Sequence, residues 1–282
     1  MKKLMPTLAV ASITGAAIAA PGDSWHIVSW PPPVVESYLN DYVEGSSTMT
    51  GQRPLLENGS FLTGRIHDVD YAPNGTLYGV ATGLDNGVFT VAPGSGAVTR
   101  RSTLPSGFAE GDMTVDWLNN RLLISQDGPG GSLWAMDLAN LHFSNLGSPA
   151  GTDQLDGLAT DPSGTIWALD GRWNQGSYST PTLYQYIGGS FINWGQVPIP
   201  KTFTSGMDFD DAGNLHILDT FGRLYRINPV QNAVTATQID HVIMNGHFAT
   251  GLAWQPVPEP GSIVVVAAGI AALVARRRRR AD

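Results

Sequence analysis

From His67 onward, apolar residues alternate with polar ones or form short runs of four to eight, and Gly, Pro, Asn and Asp punctuate them. A period of two, broken by frequent turn residues, predicts short strands, and no segment in this region sustains a helical period. Four segments line up: "HDVDYAPNGTLYGVA" from His67, "GDMTVDWLNNRLLISQD" from Gly111, "DGLATDPSGTIWALD" from Asp156 and "SGMDFDDAGNLHILD" from Ser205. Their turns centre on Gly75, Asn120, Gly164 and Gly213, at spacings of 45, 44 and 49 residues. The second copy is shifted by one residue within its turn.

Each copy has one internal plan. A strand such as "GLAT" leads into a turn such as D-P-S-G, where Gly accepts positive φ and Asp bonds the turn backbone. A second strand ("LYGVA", "LLISQ", "IWALD", "LHILD"), a third ("VFTV", "LWAM", "LYQY", "LYRI") and a fourth ("AVTRRSTL", "HFSNL", "FINWGQVPI", "AVTATQI") complete the unit. Four antiparallel strands in about 45 residues make the blade of an all-β propeller. A lone blade cannot bury both faces, whereas a closed ring buries them and protects the sheet edges.

A fifth, truncated copy, "TGLAW" (250–254), supplies an inner strand with no outer strands after it. The stretch from about Ala20 to Phe61 is the expected donor, with "WHIVSW" as one strand, and closure by both chain ends gives five four-stranded blades over residues 20–256. The proline-rich "PPPVVESYLNDYV" does not read as part of a blade and is assigned to an insertion or a short helix. Four blades with an N-terminal arm, or six, remain alternatives.

Composition places this body in a folded class: of 282 residues, 42% are hydrophobic and 14% charged, with Gly 33 and Pro 19. The absence of cysteine excludes disulfides, Cys-ligated zinc, iron–sulfur clusters and a thiol nucleophile. The formal net charge of -8 conceals an asymmetry, because Lys2, Lys3 and Arg276, Arg277, Arg278, Arg279 and Arg280 sit in the two ends. The body between them is strongly acidic, which opposes nucleic-acid binding.

Both ends read as addresses. "MKKLMPTLAVASITGAAIAAPGDSW" has the basic, apolar and small-residue parts of a secretory signal peptide over residues 1–19, with Ala17 and Ala19 satisfying the cleavage rule. At the other end, thirteen uncharged residues run from Ile263 to Ala275. As a helix they span about 20 Å, short of a hydrocarbon core about 30 Å thick. The basic cluster after them belongs on the cytoplasmic side.

Val257, Pro258, Glu259 and Pro260, followed by a short apolar helix and a terminal Arg run, resemble a PEP-CTERM sorting signal over residues 257–282. The resemblance implies recognition by an exosortase-type membrane protease, after export through the general secretion machinery and signal peptidase. It also implies a transient inner-membrane stage, release to the envelope surface or extracellular matrix, and an association with exopolysaccharide and biofilm. The repeat pattern G-L-x-x-D-x-x-G-x-L/I-x-x-x-D, then L-Y-x-I, is similar to NHL and gluconolactonase-like propellers, and no Trp-Asp signature of WD40 type is present.

Candidate chemistry follows from the ring. His67, Asp68, Asp112, Asp156, Ser205 and Thr250 fall in the columns at the starts of the inner strands, a channel mouth. Carboxylates sharing an axis suit Ca²⁺, a hard cation that takes several oxygens, or else bond loop N–H groups. A second acid column, Asp127, Asp170 and Asp219, is assigned to turn bonds. Trp134, Trp167, Tyr184 and Tyr225 are assigned to one repeated position in the packing between blades. Trp173 and Tyr178, in the longest insertion, are the candidate glycan contact.

The six histidines, His26, His67, His142, His216, His241 and His247, show no ligand spacing. "NGS" at Asn58 and "NGT" at Asn74 are read as turns rather than glycosylation sites. No G-x-S-x-G elbow, catalytic residue or cofactor motif is present, and no metal site is assigned. The expectation is an exported, non-catalytic binding or matrix protein. The alternative is a secreted metal-dependent propeller enzyme of lactonase or lyase type.

Overall fold

The computed structural model describes residues 24–255, apart from 34–35, 63, 109–110, 127–131, 148–154, 172, 175–176 and 202–203. The proposed signal peptide, the sorting segment and its basic cluster, and Asp127 lie outside the described residues.

The described residues form five four-stranded antiparallel blades. Blade II runs Gly64–Tyr71, Leu77–Gly83, Gly87–Val91 and Ala97–Ser102 from the axis outward. Blade III runs Met113–Asp116, Arg121–Gln126, Ser132–Asp137 and Phe143–Gly147. Blade IV runs Gly157–Thr160, Ile166–Asp170, Thr182–Ile187 and Ser190–Gln196. Blade V runs Thr204–Phe209, Leu215–Asp219, Arg223–Asn228 and Thr235–His241.

Blade I is the composite that closes the ring. Its inner strand, Phe248–Trp254, pairs with Ser24–Trp30, followed outward by Tyr38–Val43 and Met49–Pro54. One expectation is overturned here: "SYLNDYV" supplies a blade strand and no insertion or helix. Leu39 and Tyr42 are buried in it, and buried Asn40 donates to the Ile27 carbonyl and to Ser29 Oγ. The preceding prolines hid this pattern. A hairpin of Leu56–Glu57 and Ser60–Phe61 extends the edge of blade II, pairing in parallel with its outer strand.

Five apolar clusters fill the five blade interfaces, V–I and I–II among them. Each fully buried Leu, Ile or Phe contributes about 1.5–3 kcal/mol relative to exposure, so the energy of the fold lies between blades. Trp167 and Tyr225 pack between blades IV and V, Tyr184 between III and IV, and Trp134 against the II–III cluster. They do not share one column as expected: Trp167 belongs to a second strand and the other three to third strands.

The turns carry the repeat. Gly75, Gly164 and Gly213 have φ of 80°, 84° and 78°, and Asn120 takes the same left-handed role at 51°. The one-residue shift of the second copy is therefore an Asn replacing Gly in a turn of the same hand.

Candidate functional site

The starts and ends of the inner strands form two different mouths. At the start end, three of the sequence-selected residues are β-bulges. In blade II, Ile66 pairs with Ala81 and Asp68 with Val80, leaving His67 as the extra residue. Ser205 is the extra residue in blade V, and Thr250 in blade I. Bulges re-aim a strand where pairing begins, and each of these side chains is engaged locally. His67 Nε2 lies 2.7 Å from Thr82 Oγ1, and Ser205 Oγ 2.6 Å from Thr220 Oγ1. Thr250 Oγ1 donates to the Ile66 carbonyl of the next blade at 3.1 Å. Burial, then the charge of Arg65, pushes His67 down to about 4.

The acids of that end are buried, and Asp68 ties two blades together. Asp68 Oδ2 accepts the Met113 N–H of blade III at 3.0 Å. The Asp112 N–H donates to Ser125 Oγ and its carbonyl accepts from the Ser125 N–H, while Ser125 Oγ also donates to the Leu155 carbonyl of blade IV. Asp156 pairs through its backbone N–H with Leu169. Among the described residues, no three His, Asp or Glu side chains are grouped so as to hold a metal ion. Asp219 binds its turn as expected, accepting from the N–H groups of Phe221 and Arg223 and from Arg223 Nε. Trp173 and Tyr178 are register partners in a hairpin of two-residue strands, Trp173–Asn174 with Ser177–Tyr178.

The opposite mouth holds a cavity of about 240 Å³. All five blades contribute, which places it on the ring axis: Tyr71 from blade II, Trp117 from III, Asp161 from IV, Asp208, Phe209 and Asp210 from V, and Trp254 from I. Among the described residues that line it, five are aspartates and none is Lys, Arg or His. The candidate residues chosen from the sequence lie at the other end.

Asp70 and Asp208 perform one job twice. Asp70 Oδ2 accepts from the Val115 N–H at 2.7 Å and from Thr114 Oγ1 at 3.0 Å. Asp208 Oδ2 accepts from the Trp254 N–H at 2.6 Å. Each carboxylate thus bonds the neighbouring blade's inner strand. Burial pushes Asp70 up to about 6, and burial followed by the charge of Asp70 raises Asp208. Asp161 and Asp210 anchor their turns, through Ser163 and Thr165 and through Asn214 respectively. Trp117, 39% exposed, stands at the rim.

A polar chain missed by sequence reasoning leads away from the cavity. The Tyr71 hydroxyl lies 2.9 Å from His26 Nδ1, and His26 Nε2 lies 3.0 Å from Asp41, which also binds Arg53. Burial pushes Tyr71 up to about 12, aided by the Asp41 charge. Burial lowers His26 although Asp41 opposes it. Tyr71 comes from blade II and His26 and Asp41 from blade I, and no spacing in the sequence connects them.

Residues 256–280 match the PEP-CTERM protein-sorting motif. That motif implies a secreted, envelope-targeted protein with an exosortase as its processing partner. A search of curated proteins gives no match to the chain. Among solved structures, TolB from Acinetobacter baumannii is similar, with a TM-score of 0.51 and 11% identity over 83% of this chain and 67% of TolB. A gluconolactonase from Xanthomonas campestris aligns with a TM-score of 0.48 and 12% identity over 79% of this chain and 78% of that one. Virginiamycin B lyase from Staphylococcus aureus gives 0.45 and 11% over 72% and 66%. At these identities the likeness concerns the fold alone.

Proposed function

We propose that this is an exported, non-catalytic propeller that binds a polysaccharide at the envelope surface or in the extracellular matrix, with the axial cavity as its site. The observation that carries the reading is the meeting of Trp117, Tyr71, Phe209 and Trp254 with five aspartates in one cavity. Aromatic rings offer flat apolar faces to the C–H faces of a sugar, and carboxylates accept hydrogen bonds from its hydroxyls. A cavity without a cation does not suit phosphate or an isolated carboxylate. Asp70 and Asp208 hold the blades that frame the site, leaving exposed Asp211 and the rim Trp117 to meet the ligand.

Supporting the destination are the sorting motif and the two-address layout of the chain, in which signal peptidase and exosortase act in turn. The inner-membrane stage is transient in this reading, with the Arg276–Arg280 cluster on the cytoplasmic side until cleavage.

Titration calorimetry with exopolysaccharide purified from the native host, and with dextran as a neutral glucan, tests the proposal. Trp117→Ala is expected to weaken binding about tenfold or more, the loss of one stacked aromatic. Lactone hydrolysis that depends on added Ca²⁺ would replace this reading with the enzymatic one. Absence of glycan binding by the wild-type chain would remove it.

A further inference from the structure

The face opposite the cavity carries an aromatic strip that the axial site does not use. It is built where the bulge at Thr250 re-aims the paired strands of blade I. Beyond the bulge Trp30 pairs with Phe248, and their rings meet edge to face with centroids 5.4 Å apart. Phe221, in the turn after the second strand of blade V, meets the other side of Phe248 at 6.3 Å. Phe221 is 55% exposed. None of the three rings belongs to the apolar clusters beneath them between blades V and I or I and II.

Arg65 of blade II ends the strip. Its guanidinium carbon lies 3.6 Å from the centroid of the Trp30 ring. Gly64 lets the backbone reach this point, because a Cβ there would collide with the Thr82 carbonyl. Among the described residues, no carboxylate forms an ion pair with Arg65, whereas Arg223, beside Phe221, is held by Asp219 at 2.5 Å. Stacking fixes the plane of the Arg65 fork and leaves its edge donors without an acceptor among the described residues. On a chain with a net charge of -8, an unneutralised cation stacked on the half-buried Trp30 ring is a local inversion of the surface charge.

We propose that the Phe221–Phe248–Trp30–Arg65 strip binds a carboxylated polysaccharide. Sugar faces stack along the three rings, and a uronate carboxylate takes the Arg65 fork in a bidentate pair. The proposal rests on the reading of the protein as an exported glycan binder, but it names a second surface and an acidic ligand class. Charge complementarity chooses the occupant: the aromatic rings alone fit any glycan, and Arg65 selects the acidic one.

Affinity electrophoresis and calorimetry on the intact chain, with polygalacturonate as the probe and dextran as the neutral control, decide it. Wild-type protein is expected to bind polygalacturonate. Arg65→Gln should lower that affinity about tenfold or more, since a hydrogen-bonded charge pair is lost, with dextran binding unchanged. Arg65→Lys, which keeps the charge and loses the fork, should fall between. Phe221→Ala, at an exposed site, should weaken polygalacturonate several-fold, and Ile187→Ala, exposed on blade IV, should not. Circular dichroism melts verify that each variant is folded.

Failure of the wild-type chain to bind polygalacturonate overturns the proposal, as does equal binding by Arg65→Gln. If the host polysaccharide still binds and responds to Trp117→Ala alone, the axial site stands and the strip falls. If Arg65→Gln and Phe221→Ala instead abolish self-association in sedimentation equilibrium, the strip is an interface between copies and the proposal is lost.

Discussion

Gly251 of blade I lies so close to Asp68 of blade II that a Cβ on it would sit 2.8 Å from the Asp68 Cα. Gly206 approaches blade I equally closely, its Cβ position being 2.5 Å from the Leu252 N. Neither glycine is needed for its φ. Both are needed because five inner strands converge on a narrow axis, where backbone must pass backbone. Gly251→Ala should destabilise the ring by about 1–3 kcal/mol, the usual cost of overpacking. Urea unfolding would show it as a lower midpoint at unchanged slope. A wild-type midpoint would mean that the axis has slack.

Asp240 fastens blade V to blade I at the rim. Its carboxylate accepts from the hydroxyls of Tyr42 and Ser47 and from the N–H groups of Gly45 and Ser47. Burial works against the charge, but these donors hold the carboxyl down at about 2. A lowered carboxylate stabilises the fold above its ordinary value near 3.8, and that contribution is lost as pH falls through about 2. Asp240→Ala should lower the melting temperature at pH 6, and the gap from wild type should narrow toward pH 2. A gap of equal size at both pH values would place the effect in packing instead of charge.

Asp70 gives the opposite slope. Its folded value of about 6 lies above the ordinary 3.8, so the folded chain holds the proton more tightly than the unfolded one. Its contribution is full below about pH 4 and is lost as pH rises through 6. His67 and His216, both pushed down to about 4 chiefly by burial, act in the reverse sense, losing stability as pH falls from 6.5 to 4. The net wild-type profile therefore mixes the two. Asp70→Asn isolates one part: relative to this variant, wild type should gain stability between pH 7.5 and 5, measured by urea midpoints. A pH-independent difference would contradict the burial of this acid.

The blade repeat was legible because it is local. Asp161 binding Ser163 and Thr165 across a turn, and Gly164 at positive φ, are written into five consecutive residues. Closure was legible because "TGLAW" lacks its own outer strands. The two candidate surfaces were not legible, because each is made of residues that only the ring brings together. Trp117 and Trp254 are 137 positions apart and share a cavity. Trp30, Arg65, Phe221 and Phe248 come from three blades. The columns that the sequence did show, His67, Ser205 and Thr250, are bulge residues whose side chains bond within their own blade or to the next one. Repetition in a propeller reports the scaffold, and binding surfaces arise where blades differ.

Ring closure also sets where processing can cut. The inner strand of blade I ends at Trp254, and the Gln255 N–H donates to the Ser24 carbonyl at 2.9 Å. The sorting motif begins at residue 256. Every residue that closes the ring therefore precedes the motif, and cleavage near Pro258 to Gly261 leaves blade I whole. Intact-mass and terminal-peptide mass spectrometry on host fractions should find the mature C-terminus there, in envelope or medium. A chain stopped after Gln255 should melt within a few degrees of the processed protein, because it retains Trp254 against Trp25 at 4.8 Å and the Asp208–Trp254 bond. A chain stopped before Phe248 should lose cooperative melting, since Ser24–Trp30 then has no inner partner and its own edge is exposed. If the shorter chain melts as the longer one does, the ring does not depend on this strand for closure.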